Sequence, residues 1–230
     1  MKILYVSPHP DDECDNAGGT LTMLSRHNDI YVFYLTDGRL GSPNPAERGG
    51  DELARIRKDE ALKGLTVLGI DQSNAYFFNY PDGALSKFIY DGVKTIMPVL
   101  KRISPDIVFY PSTLDIHPDH WAAGKIIVAA IGKSRLNPGQ LSYLNWEPRP
   151  SIDVGIMLKY IKWKTLRKKA IYVRVTDFKD IKFKCMEKHE SQLRYLNESY
   201  IDRFFNADYE RFYIERKTPN MDLLASLLHA

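Results

Sequence analysis

The chain has 230 residues, 44% of them apolar and 12% aromatic, enough to bury a sizeable core in one domain over residues 1–230. Its 32 basic and 29 acidic side chains leave a net charge of +3, which excludes the broad basic footprint of a nucleic-acid binder. No run approaches the roughly 20 apolar residues of a membrane span, and "MKILYVSPHP" has neither the apolar core nor the cleavage site of a signal peptide.

Ile3 to Val6 is a short apolar run bounded by Ser, Pro and Asp, the pattern of a buried strand. A helix is expected to follow from about Asp15. "DIYVFYLTDG" repeats the strand pattern and ends in Thr36, Asp37 and Gly38. "DELARIRKDEALKGLTVLG" spaces Leu53, Ile56, Ala61, Leu65 and Leu68 as a helix does and stops at Gly69, a C-cap. "NAYFFNYPDG" reads as a third strand with a Pro-Asp-Gly turn, "LSKFIYDGVKTIMPVLKRISP" as a helix with an internal Pro, and "DIVFYPSTLDIHPDH" as a fourth strand. "WAAGKIIVAAIG" then reads as a buried helix, and the Pro-rich "NWEPRP" as a surface loop, not a domain boundary. Strands alternating with helices predict a Rossmann-like α/β fold, a mostly parallel sheet between two helical layers. Its active site belongs at the C-terminal ends of the strands, where these polar motifs fall.

The two cysteines, Cys14 and Cys185, lie far apart, and their spacing carries no sign of a disulfide framework or a Cys-rich zinc site. With no span or signal peptide, this agrees with a reducing, cytoplasmic setting. Two histidine clusters stand out instead. "HPDDE" holds His9, Asp11, Asp12 and Glu13, and "HPDH" holds His117, Asp119 and His120. Adjacent carboxylates repel, so three acids in a row at a strand end call for a cation. Catalytic zinc takes three His or carboxylate ligands and keeps a fourth position open, and two His with one Asp fill that requirement. Each motif alone is equally a polar turn capping a helix; both at strand ends of one α/β chain favour the metal.

"PHPDDE", "LTDG", "RKDEALKGLTVLGI", "FFNYPDG", "HPDH" followed by "AAG", and "KFKCMEKHESQ" together resemble the zinc-dependent N-acetylglucosaminide deacetylases of the PIG-L and LmbE-like family, over nearly the whole chain. The resemblance implies that His9, Asp12 and His120 bind zinc and that Asp11 is the general base. It also implies that His117, as a protonated imidazole, stabilises the oxyanion and protonates the departing amine, with Asp119 orienting it. Glu13 is expected to support a ligand or the loop backbone. These roles suit amide hydrolysis, which needs a polarised carbonyl, a base for water and a donor to the oxyanion.

Arg57 and Glu60 match the family's Arg-x-x-Glu helix, which gives Arg57 a substrate contact, although the same spacing suits an exposed ion pair. Asp82 is expected to bond sugar hydroxyls or to shape its turn, and Asp37 to shape its loop. Cys14 is expected as a small buried side chain, not a fourth ligand, and His189 as a packing or hydrogen-bonding residue of a C-terminal helix. Residues 159–173, "KYIKWKTLRKKAIYV", place six Lys or Arg among aromatic and aliphatic side chains. They form either a solvated basic face or a peripheral contact with an anionic membrane or a lipid- or nucleotide-linked sugar. Asp115 stands where some members carry a tyrosine, so a tyrosine donor to the oxyanion is absent or comes from elsewhere. The expected activity is removal of acetyl from an N-acetylglucosamine-type substrate. The alternatives are cleavage of a thiol-conjugate amide by the same machinery and sugar binding without turnover; a dinucleotide-dependent oxidoreductase is disfavoured because no Gly-x-Gly-x-x-Gly follows the first strand. Zinc against another divalent ion, the aglycone and the oligomeric state stay open.

Overall fold

Lys2–Ser7 forms the first strand, β1, and its side chains alternate between two cores, Ile3 and Tyr5 entering one and Leu4 and Val6 the other. The computed structural model describes residues 1–167 and 170–228, with side chains described through residue 224. The chain continues as α1 (Asp12–Ser25), β2 (Asp29–Thr36), α2 (Asp51–Val67), β3 (Ala75–Tyr80), α3 (Ile89–Ile103), β4 (Ile107–Pro111), α4 (Pro118–Ser134) and β5 (Gly139–Tyr143). Next come α5 (Val154–Arg167), β6 (Ala170–Arg174), α6 (Lys179–Met186), α7 (Glu190–Leu193), α8 (Glu198–Phe204), β7 (Tyr209–Arg216) and α9 (Pro219–Leu228). The seven strands form one sheet in the order β3-β2-β1-β4-β5-β7-β6. The first five are mutually parallel, and β7 runs antiparallel to both neighbours.

β2 and β4 repeat the alternation of β1. Val32, Tyr34, Ile107 and Phe109 pack with α1, α2 and α6 on one face, while Phe33, Leu35, Val108 and Tyr110 pack with α3 and α4 on the other. The expected three-layer α/β/α architecture is thus present. Chain order reverses between β1 and β4, which are paired from Ile3 with Ile107 to Tyr5 with Phe109. Helices leave those two strands toward opposite faces, opening a crevice at their C-terminal ends. "HPDDE" follows β1 and "HPDH" follows β4, so the sheet order itself brings the two clusters together.

Two boundaries differ from the sequence reading. α1 begins at Asp12 and not near Asp15, and α4 begins at Pro118 and not at Trp121. In α4, Pro118 suits the first helical position and His117 caps the helix, its Nδ1 accepting the Asp119 N–H at 3.3 Å. The cysteine reading is corrected outright: Cys14 and Cys185 are joined in a disulfide across 171 positions, from α1 to α6. Chain spacing carried no trace of it because the contact is made by two helices packing on one face of the sheet. Among the described residues no helix is long and apolar enough to cross a membrane.

Candidate active site

Three nitrogen and oxygen atoms converge where β1 and β4 end. Asp12 Oδ2 lies 3.3 Å from His9 Nδ1 and 3.5 Å from His120 Nε2. Each histidine turns its second nitrogen to a carboxylate: His9 Nε2 is 3.3 Å from both Asp82 and Asp119, and His120 Nδ1 is 3.4 Å from Asp115 Oδ2. That is how metal-binding imidazoles are held, one nitrogen inward and the other fixed from behind by an acid. Asp12 is held in turn, accepting from Asn145 Nδ2 at 2.5 Å and from the His9 backbone N–H at 2.9 Å. Burial alone would raise its pKa, but His120 and His9 outweigh it and keep the carboxyl well below the usual carboxylate range. The donor set therefore fits a small divalent cation. One ligand atom each from His9, His117 and His120 lie within 4.8 Å of one another, as do one each from His9, Asp82 and Asp119. The grouping around Asp12 leaves Asp82, Asp115 and Asp119 to hold the histidines from outside.

Asp11 precedes α1 with φ +146°, a backbone conformation that a side-chain-bearing residue adopts at a cost. Glu13 Oε2 accepts the Asp11 N–H and the Ser7 hydroxyl, each at 3.3 Å, while Glu13 Oε1 faces buried His189 at 3.5 Å. Arg57, 2% exposed, grips the same turn, with Nη2 donating to Pro10 O at 2.7 Å and Asp11 Oδ2 at 2.9 Å and Nη1 to Gly38 O at 2.7 Å. Burial lifts Asp11 to about 6, with Arg57 pulling against it and Asp12 adding to it. A carboxylate held near neutrality is suited to proton abstraction.

His117 lines the same cavity, of about 280 Å³, with Trp146 lying over its ring. Burial, His120 and His9 push it down to about 4. In the metal-free site these neighbours favour a neutral His117 over the protonated imidazole expected from the sequence. Because Nδ1 accepts the Asp119 N–H, the ring proton is assigned to Nε2. Asp119 orients His117 only through its backbone; its carboxylate accepts from Gly83 N and Leu85 N at 2.6 and 3.0 Å and faces His9. Asp82, expected on a sugar, spends Oδ1 on His9 and Oδ2 on Leu40 N at 2.9 Å. Arg57 lines the cavity but is committed to the Asp11 turn. Glu60 accepts from Ser191 N and Oγ at 2.8 and 2.6 Å, tying α2 to α7. Asp37 shapes its loop as expected, binding Arg39 Nε at 2.7 Å.

Several wall residues escaped the sequence reading: Asp15, Arg48, Asn145, Trp146, Gln192 and Tyr200. Tyr200 donates to the buried Asp15 carboxylate, which burial and Asp11 push well up. It is the one tyrosine lining this cavity among the described residues. Asp115 is completely buried, accepting from His117 N, Asn145 N and Trp146 N besides facing His120. Only Asp15 left a local sign, an acid in the first turn of a helix.

The profile of the PIG-L family, described as GlcNAc-PI de-N-acetylase, matches residues 4–131. Diacetylchitobiose deacetylase of Thermococcus kodakarensis is 28% identical over 197 residues, 83% of this chain and 70% of that protein. A probable N-acetyl-alpha-D-glucosaminyl L-malate deacetylase of Bacillus anthracis is 31% identical over 136 residues, 56% of this chain and 58% of that one. A solved structure of N,N'-diacetylchitobiose deacetylase from Pyrococcus horikoshii superposes with a TM-score of 0.70 at 24% identity, covering 96% of this chain and 88% of that one, which establishes the shared fold.

Proposed function

We propose, from the premise that this chain belongs to the PIG-L family, that it is a metal-dependent deacetylase removing acetyl from an N-acetylglucosamine-type amide. The observation carrying the reading is the convergence of His9 Nδ1, Asp12 Oδ2 and His120 Nε2 beside an Asp11 whose pKa is about 6. His9, Asp12 and His120 would hold the ion, with zinc the first candidate for a His₂-carboxylate set. Bound there, zinc supplies a Lewis acid for the amide carbonyl and acidifies water.

Asp11 takes the proton of the attacking water as the new C–O bond forms. His117 donates Nε2–H to the developing oxyanion as a neutral imidazole. The C–N bond then breaks, and the proton stored on Asp11 goes to the departing amine, so turnover requires no imidazolium. Arg57 and Glu13 keep Asp11 in place, and Asp119, Asp82 and Asp115 keep the histidines turned inward. The Thermococcus and Bacillus relatives are both named as deacetylases of N-acetylated sugars, which supports a small or conjugated amino sugar as substrate. The cytoplasmic expectation loses the support it drew from cysteine spacing, since structural disulfides are mostly a feature of oxidising compartments.

The test is metal analysis of the purified protein together with acetate release from a panel of N-acetylglucosamine compounds, wild type against Asp11→Ala. Bound metal with acetate release that collapses in a metal-loaded Asp11→Ala protein supports the proposal. Metal without acetate from any compound favours a different amide, and no metal after reconstitution refutes the site.

A further inference from the structure

Helix α5 has two apolar faces, and the fold uses one. Trp163 is its buried side chain, packed with Leu144 and Tyr213 and flanked by half-buried Tyr160 and Leu166, and its indole N–H donates to the Tyr213 hydroxyl at 3.3 Å. Val154, Leu158 and Ile161 recur at i, i+4 and i+7, a single stripe on the side away from Trp163. They are 72%, 53% and 54% exposed, and Ile152, just before the helix, is fully exposed. At 3.6 residues per turn, exposed Lys162 and Lys164 fall on either side of this stripe. The sequence of α5, VGIMLKYIKWKTLR, contains no acid.

The helix is tied to the rest of the fold from the side away from the stripe. Lys159 Nζ donates to Asp115 O at 2.6 Å, fastening α5 to the loop that carries His117. The other wall of that loop is Trp146, 46% exposed, whose backbone O accepts from Ile116 N at 3.2 Å.

The chemistry of the face selects its occupant. An aliphatic row between lysines is the composition of a helix lying in a lipid interface, where the row enters the acyl boundary and the lysine stems reach back to phosphate. A second copy packed stripe to stripe with its helix in the same direction would set Lys162 of one copy against Lys164 of the other, a like-charge contact with no acid within the helix to relieve it. We infer that α5 docks on an anionic lipid surface through Val154, Leu158, Ile161 and the flanking Lys162 and Lys164. This holds whether or not the enzyme is a deacetylase, because it is read by binding alone.

The experiment is co-sedimentation of the full chain with vesicles of phosphatidylcholine alone and of phosphatidylcholine mixed with phosphatidylglycerol. The protein should pellet with the mixed vesicles, less with neutral ones, and progressively less as salt screens the lysines. L158D/I161D and K162E/K164E should each reduce pelleting to the neutral-vesicle level while keeping the wild-type circular dichroism melt, since all four side chains are exposed. Absence of pelleting with mixed vesicles at low salt overturns the inference. So does a stripe variant that pellets as well as wild type, and so does one that turns a dimer into a monomer in analytical ultracentrifugation with vesicle binding unchanged, which would assign the stripe to a second copy.

Discussion

Asp11 concentrates the tension of this site in one residue, combining a strained φ of +146°, a partner in Arg57 and a pKa lifted to about 6. As the proposed base it would work deprotonated, so kcat/KM should rise with pH through about 6, or lower when a cation in the neighbouring triad pulls the carboxyl down. Arg57 is the main group opposing the rise, so Arg57→Ala should move that limb to higher pH. A purely structural loss would lower the plateau and leave the limb where it was. Gly38 adds a geometric constraint. Its φ is +67°, and a Cβ there would come within 2.7 Å of Arg57 Nη1, so Gly38→Ala should mimic part of the Arg57 defect. Asp115, behind His120, predicts a different signature: Asp115→Asn should weaken metal binding by about 10–100-fold, read by competition with a chelator. Unchanged metal affinity would leave Asp115 as a loop residue only.

Elements, and not single residues, hold the "HPDDE" loop to the rest of the fold. Glu210 of β7, 4% exposed, accepts from Gly19 N and Thr20 N inside α1 at 2.9 and 2.8 Å and from Lys182 Nζ of α6 at 2.8 Å. Glu210→Ala strands a buried lysine and should cost about 3–5 kcal/mol in urea unfolding, while Glu210→Leu with Lys182→Met recovers much of it. The Cys14–Cys185 bond ties the same two helices; replacing both cysteines with alanine should cost about 2–4 kcal/mol. Neither link was legible in the sequence. Legible were the features with a local signature: the period-two strands, the strand-end motifs, and therefore the sheet class and the crevice holding His9, Asp12 and His120. What distance along the chain concealed was direction. "HPDH" shows that Asp119 is near His117 but not that its carboxylate turns to His9, and the Arg-x-x-Glu spacing does not reveal that both side chains point inward. Asn145, Trp146 and Tyr200 belong to segments with no chemical motif, placed in the wall by β5 and α8 packing.

At the scale of the whole molecule, the reversal of strand order at β1 and β4 gathers acids from three strand ends around three histidines: Asp11 and Asp12 after β1, Asp82 after β3, Asp115 and Asp119 after β4. Without an ion, protons have to balance these charges. Burial would lower the pKa of His9, but the hydrogen bonds its ring donates to Asp119, Asp12 and Asp82 outweigh it and raise it well above its ordinary value. His120 is raised in the same sense, with Asp12 and Asp115 overcoming burial. A histidine with a raised pKa stays protonated to higher pH, and an imidazolium offers no lone pair to a metal. Uptake must therefore release protons, and affinity should climb with pH until both rings are neutral. Zinc titrated calorimetrically into the apoprotein at neutral pH, in buffers of different ionisation enthalpy, should give heats that scale with that enthalpy and report net proton release. Heats independent of the buffer would mean that the rings are already neutral and that the surrounding carboxylates hold the protons. The same binding should raise the melting temperature with free zinc, by about 2.7 kcal/mol of added stability at a hundredfold excess over Kd. His120→Ala should abolish most of that gain while leaving the unliganded fold standing, because α1, α6 and β7 are joined independently of the metal.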